Sequence, residues 1–244
     1  MEDQAISNYK IFKHIQVHKI PDDVNVFIVG DIHGCYDEFC SLLTKLNLKK
    51  YDTLILMGDY VDRGPKSKQV IDKIIELQSV CNVIALKGNH EDMMYRALST
   101  NSDRDVGMWI NNGGYQTLAS YGNIVELLSL NELPQSLKDH MKFIESLELY
   151  YETDTHIFVH ASPGLVVPIS EQPEAHLIWR RPQLDDEEFN YTHSSGKTII
   201  SGHTAQSSGV PLRLSDKNIL IDTGCFFTGV LTAYDVYNDV YITN

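Results

Sequence analysis

From Val24 onward, short and nearly continuous apolar runs alternate with longer stretches in which apolar side chains return every three or four positions. Val24-Asn25-Val26-Phe27-Ile28-Val29-Gly30 is short and β-branched and predicts a buried strand. A Gly-Asp-Ile-His-Gly turn follows, then Tyr36 to Leu46, where Phe39, Leu42, Leu43 and Leu46 fall on one face of a helix. The unit repeats twice. Thr53 to Met57 predicts the second strand and Ser67 to Gln78 the second helix, with Val70, Ile71, Ile74, Ile75 and Leu77 inward. Val83 to Leu86 predicts the third strand, and Glu91 to Leu98 the third helix.

Residues 104–147 read as an irregular helical insert, broken at Asn112-Gly113-Gly114 and Tyr121-Gly122-Asn123. Strand patterns return at His156 to Val159, Thr198 to Ile200, Asn218 to Ile221, Gly229 to Tyr234 and Asp239 to Ile242. The run from Pro163 to Ser195 holds four of the eight prolines and predicts a loop. Residues 1–23 predict an N-terminal arm or strand. No internal repeat or low-complexity linker divides the chain, so the pattern predicts one α/β domain over residues 1–244 with sheet at both ends.

Composition narrows the partners. Hydrophobic residues make up 43% and charged residues 22%, ordinary for a packed globule, which excludes a disordered, collagenous or disulfide-scaffold chain. Lys+Arg 20 against Asp+Glu 33 gives a net charge of −13, which disfavours nucleic acid and anionic membrane as partners. An anionic substrate is not excluded, because bound cations reverse the local field. The four cysteines form no CxxC pair and are expected as reduced thiols. The first residues lack the apolar core of a signal peptide, and no stretch reaches about 18 apolar residues. A cytoplasmic protein, monomeric or weakly homo-oligomeric, is expected.

Chemistry concentrates where the strands end. In open α/β sheets ligands bind at the carboxyl ends of the strands. Asp31-Ile32-His33, Asp59-Tyr60-Val61-Asp62-Arg63 and Asn89-His90-Glu91 each follow one of the first three strands. Two later strands end in His160 and in Ser201-Gly202-His203. Each cluster alone is an ordinary turn; five together offer Asp, His, Asp, Asn, His and His to one rim. Oxygen ligands mixed with imidazoles suit Mn, Fe or Zn. Such a set with one carboxylate between two groups suits two metals about 3.5–4 Å apart that clamp a displacement at phosphorus.

Gly30-Asp31-Ile32-His33-Gly34, Gly58-Asp59-Tyr60-Val61-Asp62-Arg63-Gly64 and Gly88-Asn89-His90-Glu91 resemble the three hallmark motifs of the phosphoprotein phosphatase family of calcineurin-like metallophosphoesterases. His160-Ala161 and Gly202-His203 resemble its two later metal motifs, and the Trp109 to Gly122 stretch resembles the bacterial and phage branch. The resemblance implies a four-layer β-sandwich flanked by helices, with a dinuclear site at the strand C-terminal rim. It implies Asp31 and His33 on a first metal, Asp59 bridging, and Asn89, His160 and His203 on a second. The metals are expected to be two Mn²⁺, with Fe or Zn also accepted, and a hydroxide between them to attack phosphorus. Arg63 is implied to hold phosphate oxygens, His90 to protonate the leaving oxygen and Asp62 to orient His90. Trp179-Arg180-Arg181 resembles the family's Trp-x-Arg, so Arg181, with Arg180 second, is expected to clamp the phosphate together with Asn89.

The family usually has glycine after His-Ala; here Ser162 follows, which alters the loop beside the second metal. Asp222 reads as a supporting carboxylate and Cys225 as a buried thiol. His14, His18, His140, His156, His176 and His193 match no ligand motif, and Asp185-Asp186-Glu187-Glu188 reads as a solvated loop. The implied activity is a phosphatase acting on phosphoserine and phosphothreonine of proteins, and on phosphotyrosine where the site is open. The alternative is a dinucleoside polyphosphate hydrolase such as a diadenosine tetraphosphatase, since Gly34-Cys35-Tyr36-Asp37-Glu38 also resembles that branch. A non-catalytic scaffold on the same fold is the third reading; such members usually lose ligands or the acid, and none is lost here.

Overall fold

The computed structural model describes residues 25–100, 102–122, 133–183 and 191–244. The expected N-terminal arm, His14, His18 and the Asp185 to Glu188 run lie outside the described residues, as does part of the helical insert.

Strands β1 (Val26–Val29), β2 (Thr53–Leu56) and β3 (Asn82–Ala85) run parallel and are joined by helices α1 (Tyr36–Leu46) and α2 (Ser67–Leu77). β9 (Thr232–Asp235) pairs antiparallel with β1, and β10 (Val240–Thr243) with β9, giving a five-stranded sheet of order β10-β9-β1-β2-β3. The second sheet has order β4-β5-β6-β8-β7, from β4 (Tyr150–Glu152), β5 (His156–Val159), β6 (Thr198–Ser201), β7 (Leu212–Ser215) and β8 (Asn218–Leu220). Its three central strands are parallel.

Side-chain alternation sorts the layers. Val26, Ile28 and Ile55 point from the first sheet, and Phe158, Ile200, Ile219 and Ile221 from the second, into one shared apolar layer. The alternate residues Phe27, Val29, Leu54 and Leu56 face outward, against Phe39 and Leu42 of α1 and Val70, Ile71 and Ile74 of α2. Ile157, Val159 and Ile199 form a third layer with Leu177 and Ile178 of α7 (Glu174–Trp179). Three apolar interfaces make four layers, so this is the α/β metallophosphoesterase-type sandwich of two mixed sheets plus helices.

The segment between the sheets holds α3 (Asn89–Thr100), α4 (Asp103–Trp109), a π-helical turn (Ile110–Gly114), α5 (Tyr115–Tyr121) and α6 (Gln135–Glu145). α3 begins two residues earlier than its apolar pattern indicates, because Asn89 and His90 sit buried in its first turn.

Three expectations change. Ile75, expected inward, is 39% exposed: it follows Ile74 by about 100° around the helix, and Ile71, Ile74 and Leu77 already fill the buried face. The Pro163 to Ser195 loop contains α7 and a 3-10 turn (Ile169–Glu171), each starting just after a proline. A last short helix, α8 (Cys225–Thr228), follows the second sheet. Among the described residues no helix is long and apolar enough to cross a membrane.

Phe39 is fully buried between α1 and the first sheet. We predict that Phe39→Ala costs about 3–5 kcal/mol in urea unfolding.

Candidate metal centre

Five of the candidate side chains are presented by backbone that most residues avoid. Among the described residues, seven non-glycine residues have positive φ, and five of them are His33 (46°), Asp59 (52°), Asp62 (71°), Arg63 (68°) and His203 (60°). Left-handed backbone costs roughly 1–3 kcal/mol per residue and persists only where surrounding contacts enforce it. Close backbone approach does part of this work. A Cβ on Gly88 would fall on Asp59 Oδ1 and come 2.8 Å from Glu91 Oε2, and a Cβ on Gly202 would fall on Asp31 Oδ1.

The turns bring His33, Asp59, His160 and His203 together. One ligand atom each from His33, Asp59 and His90 lies within 4.8 Å of the others, as does one each from Asp59, His160 and His203. Asp59 belongs to both groups, the position the sequence assigned to a bridge. Its Oδ2 is 3.4 Å from His33 Nε2 and its Oδ1 3.5 Å from His160 Nε2. Burial acts to raise the Asp59 pKa, but His160, His90, His33 and His203 outweigh it, and the group titrates below the usual carboxylate range.

The donor set fits cations. His33 Nδ1–H donates to the Val61 carbonyl and His160 Nδ1–H to the Met57 carbonyl, each at 2.8 Å. Both rings therefore turn a bare Nε2 lone pair inward, the usual orientation of a metal-binding histidine. Burial keeps both rings neutral by pushing their pKa values down. His160 Nε2 then faces Asn89 Oδ1 at 3.0 Å, two lone-pair donors with no proton between them. His203 points its Nε2 at the Trp179 carbonyl (3.1 Å), leaving Nδ1 for the centre. Burial, reinforced by His160, takes its pKa down to about 3.

Asp31 is buried beside these groups. Its oxygens accept from the His203 backbone N–H at 3.1 and 3.0 Å. Burial, with Asp222 and Asp59 adding, holds its pKa well above the usual range. Asp222, which also accepts the Gly224 N–H at 2.8 Å, is raised to about 6, mainly by burial. Three acids confined this closely call for positive charge between them.

The remaining expected residues surround this core. His90 Nδ1–H donates to Asp62 Oδ2 at 2.7 Å, and its Nε2 lies 3.9 Å from Asp59 Oδ2. Burial would lower the His90 pKa; Asp59 and Asp62 overcome it and raise it. Arg63 Nη1 lies 2.9 Å from His33 Nε2, and the guanidinium sits 4.7 Å from the centre of the Phe226 ring. Arg180 and Arg181 leave α7 at the edge of the centre, close enough for Arg181 to depress the His160 and His203 pKa values. His156 stacks on Phe158, and His140 joins Tyr121 to Asp72, so neither approaches the centre. Cys225 is a buried free thiol.

Two supports escaped the sequence reading. Glu91 accepts backbone N–H bonds from Asp59 (2.8 Å), Tyr60 (2.7 Å), Val61 (3.3 Å) and Gly88 (2.9 Å), clamping the turn that presents Asp59. Burial and the Asp59 charge push its pKa up to about 7, against the lowering effect of those donors. Asp62 Oδ1 accepts from Trp109 Nε1 (2.9 Å) and Thr117 Oγ1 (2.6 Å), so the helical insert fixes the partner of His90. The Asn-His-Glu triplet was visible in sequence, but the four donors that occupy its glutamate were not.

Glu91→Gln leaves one acceptor oxygen for four donors and sets an NH₂ group against them. We expect a loss of about 2–4 kcal/mol in urea unfolding and a roughly 10–100-fold weaker manganese titration. Because Asp31, Asp59 and Asp222 crowd together, added Mn²⁺ should raise the melting temperature of the wild-type chain and EDTA should reverse the gain.

Comparison with known proteins places these residues in a lineage. A bis(5'-nucleosyl)-tetraphosphatase PrpE of Anoxybacillus flavithermus is 30% identical over 230 residues, covering 84% of this chain and 88% of that protein. Serine/threonine-protein phosphatase 1 of Salmonella typhimurium is 29% identical over 217 residues, covering 85% and 90%. The crystal structure of a candidate diadenosine tetraphosphatase shares the fold with a TM-score of 0.67 at 20% identity, covering 93% of this chain and 96% of that one. The family model of the calcineurin-like phosphoesterases matches residues 24–207, and the chain belongs to that family of metal-dependent phosphohydrolases.

Proposed function

We propose that this chain hydrolyses phosphate monoesters, foremost phosphoserine and phosphothreonine in proteins. The observation that carries the reading is the His90–Asp62 pair at 2.7 Å, with His90 Nε2 turned toward Asp59. A serine or threonine side chain leaves phosphorus as an alkoxide and needs a proton. His90, whose pKa Asp59 and Asp62 raise against the lowering effect of burial, can deliver it from Nε2, while Asp62 holds Nδ1 and fixes the ring.

Asp31 and His33 would hold one divalent ion, Asn89, His160 and His203 a second, and Asp59 both. Bound there, such ions would supply a water acidified to about neutral pKa and charge neutralisation at the phosphoryl oxygens. Manganese is the ion expected, with iron and zinc accepted by the same donors. Arg63 offers a planar fork to two phosphate oxygens. Its Nη1 and a cation compete for the same His33 lone pair, so a filled site frees the guanidinium for substrate. Arg181, with Arg180 behind it, would meet the phosphate from the opposite wall. Free cysteines throughout support a reducing, cytoplasmic setting.

A second reading, hydrolysis of a dinucleoside polyphosphate, is supported by the PrpE relative and by the Arg180–Arg181 pair, which carries more positive charge than one terminal phosphate requires. Release of phosphate from a phosphoserine peptide with Mn²⁺, compared with cleavage of diadenosine tetraphosphate at equal concentration, separates the two. We expect His90→Asn to lower peptide turnover by about 10²–10⁴-fold and p-nitrophenyl phosphate turnover far less, since nitrophenolate leaves without a proton. Equal losses on both substrates would remove His90 from the acid role.

A further inference from the structure

Phe226 stands on the short helix α8 at the edge of the centre and is 40% exposed. One exposed apolar side chain is ordinary, but this ring is held on three sides. It meets the His33 ring edge to face at 5.5 Å and the Phe227 ring edge to face at 4.8 Å, and the Arg63 guanidinium lies over it. The turn beneath is fixed as well. Gly224 takes a φ of 65°, where a Cβ would run into the Phe227 ring. The Gly224 N–H donates to Asp222 Oδ1 at 2.8 Å, and Cys225 is buried in the core. The turn after β8 therefore delivers the Phe226 ring to one place.

Arg63 is anchored at its stem and loosely held at its head. Its backbone N–H donates to the Gly113 carbonyl at 3.2 Å, and a Cβ on Gly113 would come 2.9 Å from Arg63 Cγ. Among the described residues no carboxylate pairs with the guanidinium, and its one hydrogen-bond contact is His33 Nε2 at 2.9 Å. That lone pair is the one His33 would offer a cation, which would leave the guanidinium without a polar partner. The Phe226 ring remains, its centre 4.7 Å from Arg63 Cζ. A ring face attracts a cation through its quadrupole. A carboxylate in the same place would occupy the N–H donors and cancel the charge that a phosphate needs. The ring steadies the head and leaves the donors open to oxygen.

We propose that Phe226 is a positioning residue for Arg63. Its ring keeps the guanidinium over the centre, so that the fork is already in place when a phosphate arrives, and it makes no contact of its own with the phosphate. The inference rests on the phosphate-holding role proposed for Arg63 and extends it to the turn after β8.

Calorimetry with inorganic phosphate on the manganese-loaded full chain tests it, since phosphate carries no ring that could touch Phe226 itself. Phe226→Leu keeps an apolar side chain but removes the ring; it should weaken phosphate about three- to tenfold, and Phe226→Tyr should restore binding to within about twofold. In an Arg63→Ala background Phe226→Leu should have no further effect, because the ring then has no cation to hold. Wild-type affinity in Phe226→Leu, an equal loss in both backgrounds, or a tyrosine variant as weak as the leucine one overturns the inference. Phe226→Met serves the same comparisons if the leucine variant does not fold. The rise in melting temperature on adding Mn²⁺ should be the same in Phe226→Leu as in the wild type; a smaller rise means that the ring acts through His33 and overturns the inference. Arg63→Ala alone separates the two readings. If it binds phosphate as tightly as the wild type, the phosphate-holding role fails and the inference with it, whereas weak binding there beside undiminished binding in Phe226→Leu overturns the inference alone.

Discussion

The centre depends on a buried carboxylate that touches no candidate ligand atom directly. Glu91 gathers four backbone N–H groups from two separate strand ends, Asp59 to Val61 and Gly88. Without it those donors would be buried and unsatisfied, and the left-handed backbone at Asp59 would have little to hold it. The same clamp sets the direction of the Asp59 side chain, on which both histidine groups converge. A structural hydrogen-bond problem and a ligand-orientation problem thus share one solution.

The layered architecture explains why the groups meet where they do. Parallel strands β1, β2, β3, β5 and β6 all bring their C-terminal ends to the same rim, and the shared apolar layer locks the two sheets in register. Asp31, Asp59 and Asn89 then come from one sheet, and His160 and His203 from the other. Neither sheet alone carries a complete set. The inter-sheet packing of Ile28, Met57, Phe158 and Ile221 is therefore also what holds the polar rim together.

Much of this was legible in the chain, for identifiable reasons. The first three βα units were readable because strands buried on both faces are continuously apolar and their helices carry single apolar stripes; α1 and β5 fall on their expected residues. Strand β7 was not, because Leu212 to Ser215 is an edge strand with no fully buried position. Helix α7 was hidden by its length of six residues, too short for a helical period to show. Among the candidate site residues, those in compact glycine-flanked motifs stood out. Trp109, Thr117 and Glu91 act by reaching groups up to 55 positions away, which no local pattern encodes.

The contact of Trp109 and Thr117 with Asp62 gives the helical segment a meaning beyond packing. The candidate ligands come from the two sheets, whereas His90, the proposed proton donor, is oriented through Asp62 by residues of α4 and α5. The two proposed roles, cation binding and leaving-group protonation, thus fall to different parts of the polypeptide. Under the proposed roles, substitutions in that segment would alter the setting of His90 while leaving the candidate ligands of the two sheets in place, so acidity and cation binding are separable features of one scaffold.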